Sequence, residues 1–279
     1  MGLQRYIFFA KNGKISKNRH LFNIERGLRS HIKTKMPMTD LFGNTFTSEL
    51  NIPHRFRQRK VRQSHYRAHI ASICYPEIAK GLEKTEGHNM PVMRPNLIIP
   101  DVVATTPFDR ISSKKSNKDS LVMFYINDDR FANRLSHPWS YTNELSQYKG
   151  VIAPDLSQYI DMDYSERMSN NYWNKVFAAY WQNQGVNIYP NVTWSLPDSY
   201  EYSLEGYPHN SVIAINSMGI KQSNFSISQW LDGYWYMTKA LKPICILRYG
   251  PKIYGEDESI SIYLDNEQIK FFEDGRKRK

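Results

Sequence analysis

Five short apolar runs punctuate the second half of the chain, and each leads into polar or acidic residues. They are LVMFYIND (121–128), GVIAPD (150–155), GVNIYPNVTWS (185–195), SVIAINSMG (211–219) and KPICILRYG (242–250). None alternates with polar residues as a half-solvated strand does, so the pattern predicts strands covered on both faces, as in a parallel sheet. Stretches of helical period lie between them. Met168, Tyr172, Val176 and Tyr180 mark one helix face across 165–184, with Gly185 as its stop. Ile227, Trp230, Leu231, Tyr234, Met237 and Leu241 form a second stripe, and Ser226-x-x-Gln229 reads as its capping box. Strand and helix alternate, which predicts βαβ crossovers and an α/β class: a largely parallel sheet, either a Rossmann-like open sheet or a partial barrel. Pro190 interrupts the third run, so that strand is bulged, lies at an edge, or ends early. The segment SISIYLDNEQIKFFE predicts a closing hairpin about Asp265-Asn266.

Upstream of residue 121 the pattern is irregular. Residues 1–70 suggest two short helices, one of them over 23–33, where Ile24, Leu28 and Ile32 keep helical spacing, and Pro91, Pro95, Pro100 and Pro107 predict an extended, wrapping connection. The polar loop SSKKSNKDS (112–120) is the candidate boundary. Residues 1–111 therefore read as a basic extension with its wrapping segment, and 121–279 as the α/β core.

Charge sharpens that division. Residues 1–69 hold 15 Lys/Arg against 3 Asp/Glu, whereas the remainder holds 22 against 24, so the basic character belongs to the N-terminal quarter, plus the tail GRKRK (275–279). Its densest piece, HRFRQRKVRQSHYRAH (54–69), carries Arg55, Arg57, Arg59, Lys60, Arg62 and Arg67 with no acid. Interleaved Phe56, His65 and Tyr66 suit a polyanion partner, DNA or RNA, bound through its phosphates; a solvated, solubilising arm is the plainer reading. His65 and His69 share a zinc-like spacing, but no cysteine pair accompanies them. The two cysteines, Cys74 and Cys245, read as reduced thiols, and no apolar run approaches the length of a membrane span, so a cytoplasmic protein without a membrane partner is expected.

In either parallel architecture the ligand site lies at the carboxyl ends of the strands. Asp128 and Asp155 follow the first two runs, Asn191, Trp194 and Ser195 the third, and Arg248 the fifth. Two carboxylates there would hold Mg²⁺ or Mn²⁺, or share acid and base duty. Arg248 would grip phosphate or carboxylate with its bidentate fork. Trp194 and Tyr159 would stack on a ligand, although packing explains both. An aspartate after a strand is also a common turn or helix cap, the expected role of Asp161 and Asp163. No dinucleotide fingerprint, phosphate-loop lysine or nucleophile elbow is present.

The blocks FYINDDRFANRLSHPWSYTNELSQYKGVIAPDLSQYIDM, NNYWNKVFAAYWQNQGVNIYPNVTWS and GYPHNSVIAINSMGI, in that order, resemble the phage and mobile-element family named domain of unknown function 4417. Its helix motif matches at Asn170, Tyr172, Tyr180, Trp181 and Gln182; Trp173 and Lys175 stand where the family has arginine, and Ala178 where it has glycine. The resemblance implies a phage or mobile-element setting in a bacterial host and no particular chemistry. Three readings follow: a nucleic-acid-associated protein with a metal-dependent hydrolytic or nuclease site at the strand ends, a small-molecule or sugar hydrolase with paired carboxylates, or a non-catalytic structural or host-interaction protein.

Overall fold

The computed structural model describes residues 35–39, 45–49, 76–220 and 223–265. The chain divides into two compact units at His54/Arg55. In the first, β1 (Lys35–Thr39) and β2 (Thr45–Glu49) pair antiparallel, with Thr39 opposite Thr45. The helix expected over 23–33, the dense basic run at 54–69 and the basic tail lie outside the described residues.

The second unit alternates strand and helix. In chain order come α1 (Pro76–Ala79), β3 (Thr105–Pro107), β4 (Leu121–Met123), α2 (Thr142–Leu145), β5 (Gly150–Ile152), α3 (Tyr164–Asn183) and β6 (Ile188–Tyr189). Then follow α4 (Tyr200–Leu204), β7 (Val212–Asn216), α5 (Asn224–Leu241), β8 (Cys245–Tyr249) and β9 (Ser261–Tyr263). All pairings among β3 to β9 are parallel, and spatial order follows chain order: β3-β4-β5-β6 and β7-β8-β9. A parallel bridge from Asn191 to Ala214 joins the two runs, reinforced by Ala214 N–H donating to the Pro190 carbonyl at 2.7 Å. At the other edge, Asp265 N–H donates to Val103 O at 2.8 Å and Thr105 Oγ1 to Asp265 O at 3.0 Å. The ends of the sheet therefore meet, and the sheet curls into a seven-stranded barrel. A strand order without reversal leaves no switch-point crevice, so the open-sheet alternative falls away in favour of the barrel.

The alternation of side chains along the strands confirms closure, because inner and outer positions build separate apolar clusters. Leu121, Met123, Tyr125, Ile152, Tyr189, Val212, Ala214, Leu247, Tyr249 and Leu264 pack together as the lumen. Their neighbours Val122, Phe124, Val151, Ala153, Ile188, Ile213, Ile215 and Ile246 join the layer beneath the helices. Both sets are apolar, which is why the sequence shows continuous runs. Trp181 of α3 lies fully buried in the outer layer against Phe108 and Phe124, and its indole N–H donates to Pro138 O at 3.0 Å. An aromatic cluster of this kind supplies several kcal/mol of burial free energy, about 25 cal/mol per Å² of apolar area.

Local signals account for the element ends. Helix α3 opens at Asp163, whose N–H donates to Glu166 at 3.3 Å, and it stops before Gly185, which takes φ +83°. Strand β6 ends early, at the residue before Pro190, as the missing N–H requires. Helix α5 departs from the expected box: its cap is Ser223, whose hydroxyl accepts from Ser226 N–H at 3.1 Å, so Ser226 lies inside the first turn. The wrapping segment contributes β3 to the barrel instead of only covering it. The closing region continues as a parallel strand, β9, beside β8; the expected second arm of its hairpin lies outside the described residues.

Candidate functional site

Four strand ends bring polar groups to the carboxyl-terminal mouth of the barrel. Tyr125 continues the inward alternation of Leu121 and Met123, Asp155 follows β5, Asn191 follows β6, and Asn216 ends β7. Asn191 Nδ2 donates to Asp155 Oδ1 at 3.1 Å, and Asn216 Nδ2 to Asp155 Oδ2 at 3.5 Å. Neither amide is free to turn around. Asn191 Oδ1 accepts from the Tyr125 hydroxyl at 2.9 Å, and Asn216 Oδ1 accepts from Met218 N–H at 2.8 Å, so both NH₂ groups are aimed at the carboxyl. The Tyr207 hydroxyl donates to Asn191 O and fixes that residue from behind. Tyr249, the last residue of β8, stacks on Tyr125 with ring centroids 4.9 Å apart.

Two effects compete at Asp155. Enclosure by protein disfavours the charged carboxylate, whereas the two carboxamide donors favour it. Desolvation wins, and the carboxyl is pushed up to about 6. Tyr125 and Tyr207 are both raised, first by burial and next by the charge of Asp155, so each keeps its proton and donates. Asp155 itself keeps intermediate exposure while its carboxyl is surrounded. A protonatable acid at the floor of a partly open mouth can give or take a proton near neutral pH.

The loop beyond Asp155 is bolted down. Asn174 of α3 accepts from Leu156 N–H at 2.8 Å and donates to Leu156 O at 3.2 Å, while Asn170 donates to Ser157 O at 2.7 Å. Gln158 reaches Thr193 Oγ1 at 2.7 Å. Asp128 belongs to this scaffold: in a 3₁₀ turn over 128–130, its carboxylate accepts Ser157 N–H and Ser157 Oγ, each at 3.1 Å. The groups acting on Asp155 are two carboxamides and the surrounding protein, with no second carboxylate among them.

The other sequence candidates disperse. Arg248 occupies an outward position of β8, fully buried, with Nε and Nη2 on the Glu256 carboxylate at 2.7 and 2.6 Å and its Cζ 4.8 Å from the Trp230 ring centroid. It holds the 250–260 loop, and Gly250 enters that loop at φ +97°, where a side chain would press on Met218 N. Trp194 packs on Trp230 at 5.6 Å and against the Cα of Gly233. Ser195 is buried with its N–H on Ser199 Oγ at 2.9 Å, and Tyr159 lies in the turn before α3, its carbonyl accepting from Met162 N–H. Among the described residues, no group of three His, Cys, Asp or Glu side chains is placed to hold a metal ion; Asp128 is engaged by Ser157 and Asp155 by the two carboxamides. Arg55, Arg57, Arg59, Lys60, Arg62 and Arg67 lie outside the described residues.

Sequence reading missed Tyr125, Tyr207 and Lys175. Tyr125 was legible from period 2 within its own run. Lys175 was not: its amine is wholly buried on the carbonyls of Tyr202 (2.9 Å) and Ser203 (3.2 Å), 4.7 Å from the Tyr207 ring. Desolvation lowers its proton affinity well below the usual lysine value, with Glu205 opposing.

Fold and site together define an α/β protein built on a parallel barrel, with the Asp155 carboxyl held at the mouth by two carboxamides. The chain belongs to the family described as Domain of unknown function (DUF4417), whose model matches residues 82–267. It is similar to the "Gene 1 protein" of Mycobacterium phage L5, 26% identical over 168 residues, covering 60% of this chain and 73% of that protein. It is also similar to the "Gene 1 protein" of Mycobacterium phage D29, 26% identical over 176 residues, covering 63% of this chain and 65% of that one. No solved structure matches significantly. No described helix is long and apolar enough to cross a membrane.

Proposed function

We propose that this is a nucleic-acid-processing protein of a phage-type family, acting in the bacterial host cytoplasm, with Asp155 as a general acid–base at the barrel mouth. The observation that carries this reading is the Asp155 carboxyl, pushed up to about 6 while two oriented carboxamides point at it. Such a group is half-charged at about pH 6, within reach of both protonation states, and is held where substrates of parallel barrels bind. The chemistry is a metal-independent hydrolysis, because both carboxyl oxygens of Asp155 already accept from carboxamide NH₂ groups, whose positive ends oppose a cation. Arg55, Arg57, Arg59, Lys60, Arg62 and Arg67 would supply the sequence-independent hold on phosphates.

The test uses the full chain with single-stranded DNA and RNA of mixed sequence. Binding is expected to weaken steeply with salt and to fall when the six basic residues become glutamine. Turnover is expected to survive EDTA, to change over near pH 6, and to vanish in Asp155→Asn with the circular-dichroism spectrum unchanged. Turnover that persists in Asp155→Asn refutes the acid–base assignment, and turnover that EDTA abolishes refutes the metal-independent chemistry. Salt-insensitive binding refutes the role of the basic segment.

A further inference from the structure

We propose that Lys175, buried behind the barrel mouth, is a positioning residue for Asp155: by fixing Tyr207 it holds the Asn191 carboxamide on the carboxyl. That Asp155 then performs chemistry rests on the function proposed above. The amine has three partners of acceptor character: the carbonyls of Tyr202 at 2.9 Å and Ser203 at 3.2 Å, and the Tyr207 ring, whose centroid is 4.7 Å away. They match the three N–H bonds of an ammonium group. Burial disfavours that charge and Glu205 supports it, while the two carbonyl bonds need only two hydrogens and persist in either form. Both carbonyls belong to the last turn of α4, and Tyr207 N–H donates back to Leu204 O at 3.2 Å. One amine therefore grips the turn from which Tyr207 springs and also the face of its ring. A cation buried this deeply adds little stability over a well-packed apolar side chain of similar volume. What it adds is a fixed geometry.

Contacts run from this amine to the acid without a gap. The Tyr207 hydroxyl donates to Asn191 O, the Asn191 side chain accepts from the Tyr125 hydroxyl at 2.9 Å, and its Nδ2 donates to Asp155 Oδ1 at 3.1 Å. Lys175 shares α3 with Asn174 and Asn170, which pin Leu156 and Ser157 just beyond Asp155. A single helix thus sets the acid's loop from one side and its amide donor from the other. The titratable and polar groups that face Asp155 are Tyr125 beyond β4, Asn191 beyond β6, Tyr207 ahead of β7 and Asn216 at the end of β7, and Arg248 acts on Tyr125 from the outer face of β8. Loosening Tyr207 frees the Asn191 backbone and withdraws a donor that favours the charged carboxylate. The acid then holds its proton to higher pH.

The experiment follows the Asp155 carboxyl by ¹³C NMR of the full chain through a pH titration, its resonance being the one that Asp155→Asn removes. Tyr207→Phe keeps the ring over Lys175 and removes only the hydroxyl that grips Asn191. It is expected to raise the Asp155 midpoint by about one pH unit, as for one weakened hydrogen bond to a carboxylate. Lys175→Met is expected to raise it likewise, and the double variant to go no further than Tyr207→Phe, because both act along one path. If Lys175→Met does not fold, Lys175→Gln, an amide without the charge, carries the same expectation. Tyr148→Phe serves as the structural control: it loses a buried hydroxyl bond to Ile111 O of 3.0 Å in the outer layer, and the midpoint should stay in place. A midpoint unmoved in Tyr207→Phe or in the folded Lys175 variant, additive shifts in the double variant, or an equal shift in Tyr148→Phe overturns the proposal. The titration requires no substrate. Turnover that survives in Asp155→Asn therefore refutes the acid–base reading alone, whereas an unmoved midpoint refutes the role of Lys175 whatever the turnover.

Discussion

Replacing Asp155 by asparagine should make the protein more stable at alkaline pH than at acid pH relative to wild type, and the size follows from the environment of the carboxyl. Its proton affinity is raised from an ordinary 3.8 to about 6. The folded state therefore binds the proton more tightly than the unfolded state, so this group's stabilising share is fully present below 3.8 and lost as pH rises through about 6. At 1.36 kcal/mol per pKa unit, the ionised carboxyl costs about 3 kcal/mol once the loss is complete. Between pH 4 and pH 8 the difference that remains to be lost is roughly 2.5 kcal/mol. Asparagine escapes that loss, but its NH₂ must face one of the two fixed donors, Asn191 Nδ2 or Asn216 Nδ2, while its Oδ1 accepts from the other, at a constant cost of about 1 kcal/mol. Urea unfolding of wild type and Asp155→Asn at pH 4, 6 and 8 reads the trend, because every other titrating group cancels in the comparison. A stability difference that stays flat over this range, or that moves in wild type's favour as pH rises, refutes the claim that burial outweighs the carboxamides.

Asp128→Ala should cost about 1–3 kcal/mol by stranding Ser157 N–H and Oγ, and amide exchange at Ser157 should accelerate; unchanged exchange would show that the loop does not depend on this carboxylate. Gly233→Ala drives a methyl into the Trp194 indole, which cannot retreat without displacing Trp230. A fall of about 1–3 kcal/mol with a shifted tryptophan emission is expected, and an unaltered melting curve would contradict the contact. Lys175→Met should lose stability through the abandoned carbonyls of Tyr202 and Ser203. Because burial lowers the folded-state proton affinity of Lys175, wild type should gain on this variant as pH rises toward 10.5; a gap independent of pH argues against the desolvated amine.

Residues 121–250 announced their own secondary structure because each strand of a covered barrel must be apolar on both sides. The runs containing Val122, Val151, Ile188, Ile213 and Ile246 therefore stood out without any partner in view. Periodicity also marked α3 and α5, and Pro190 marked the early end of β6. Local sequence could not choose between sheet and barrel: closure rests on contacts between Val103 or Thr105 and Asp265, some 160 positions away, and nothing in either segment encodes the other. The same distance effect sorted the site. Asp155 and Asn191 meet because β5 and β6 are neighbours in register, while Asp128, equally acidic and equally placed after a run, is spent on Ser157. Arg248 differs from Tyr249 by one residue and therefore by one face of the strand, so it faces the helical layer while its neighbour faces the mouth. Residue type and spacing, read from the sequence alone, determined which groups were available. Only the tertiary structure, by fixing face, neighbour and burial, decided which of them share one enclosure and how tightly its carboxyl keeps a proton.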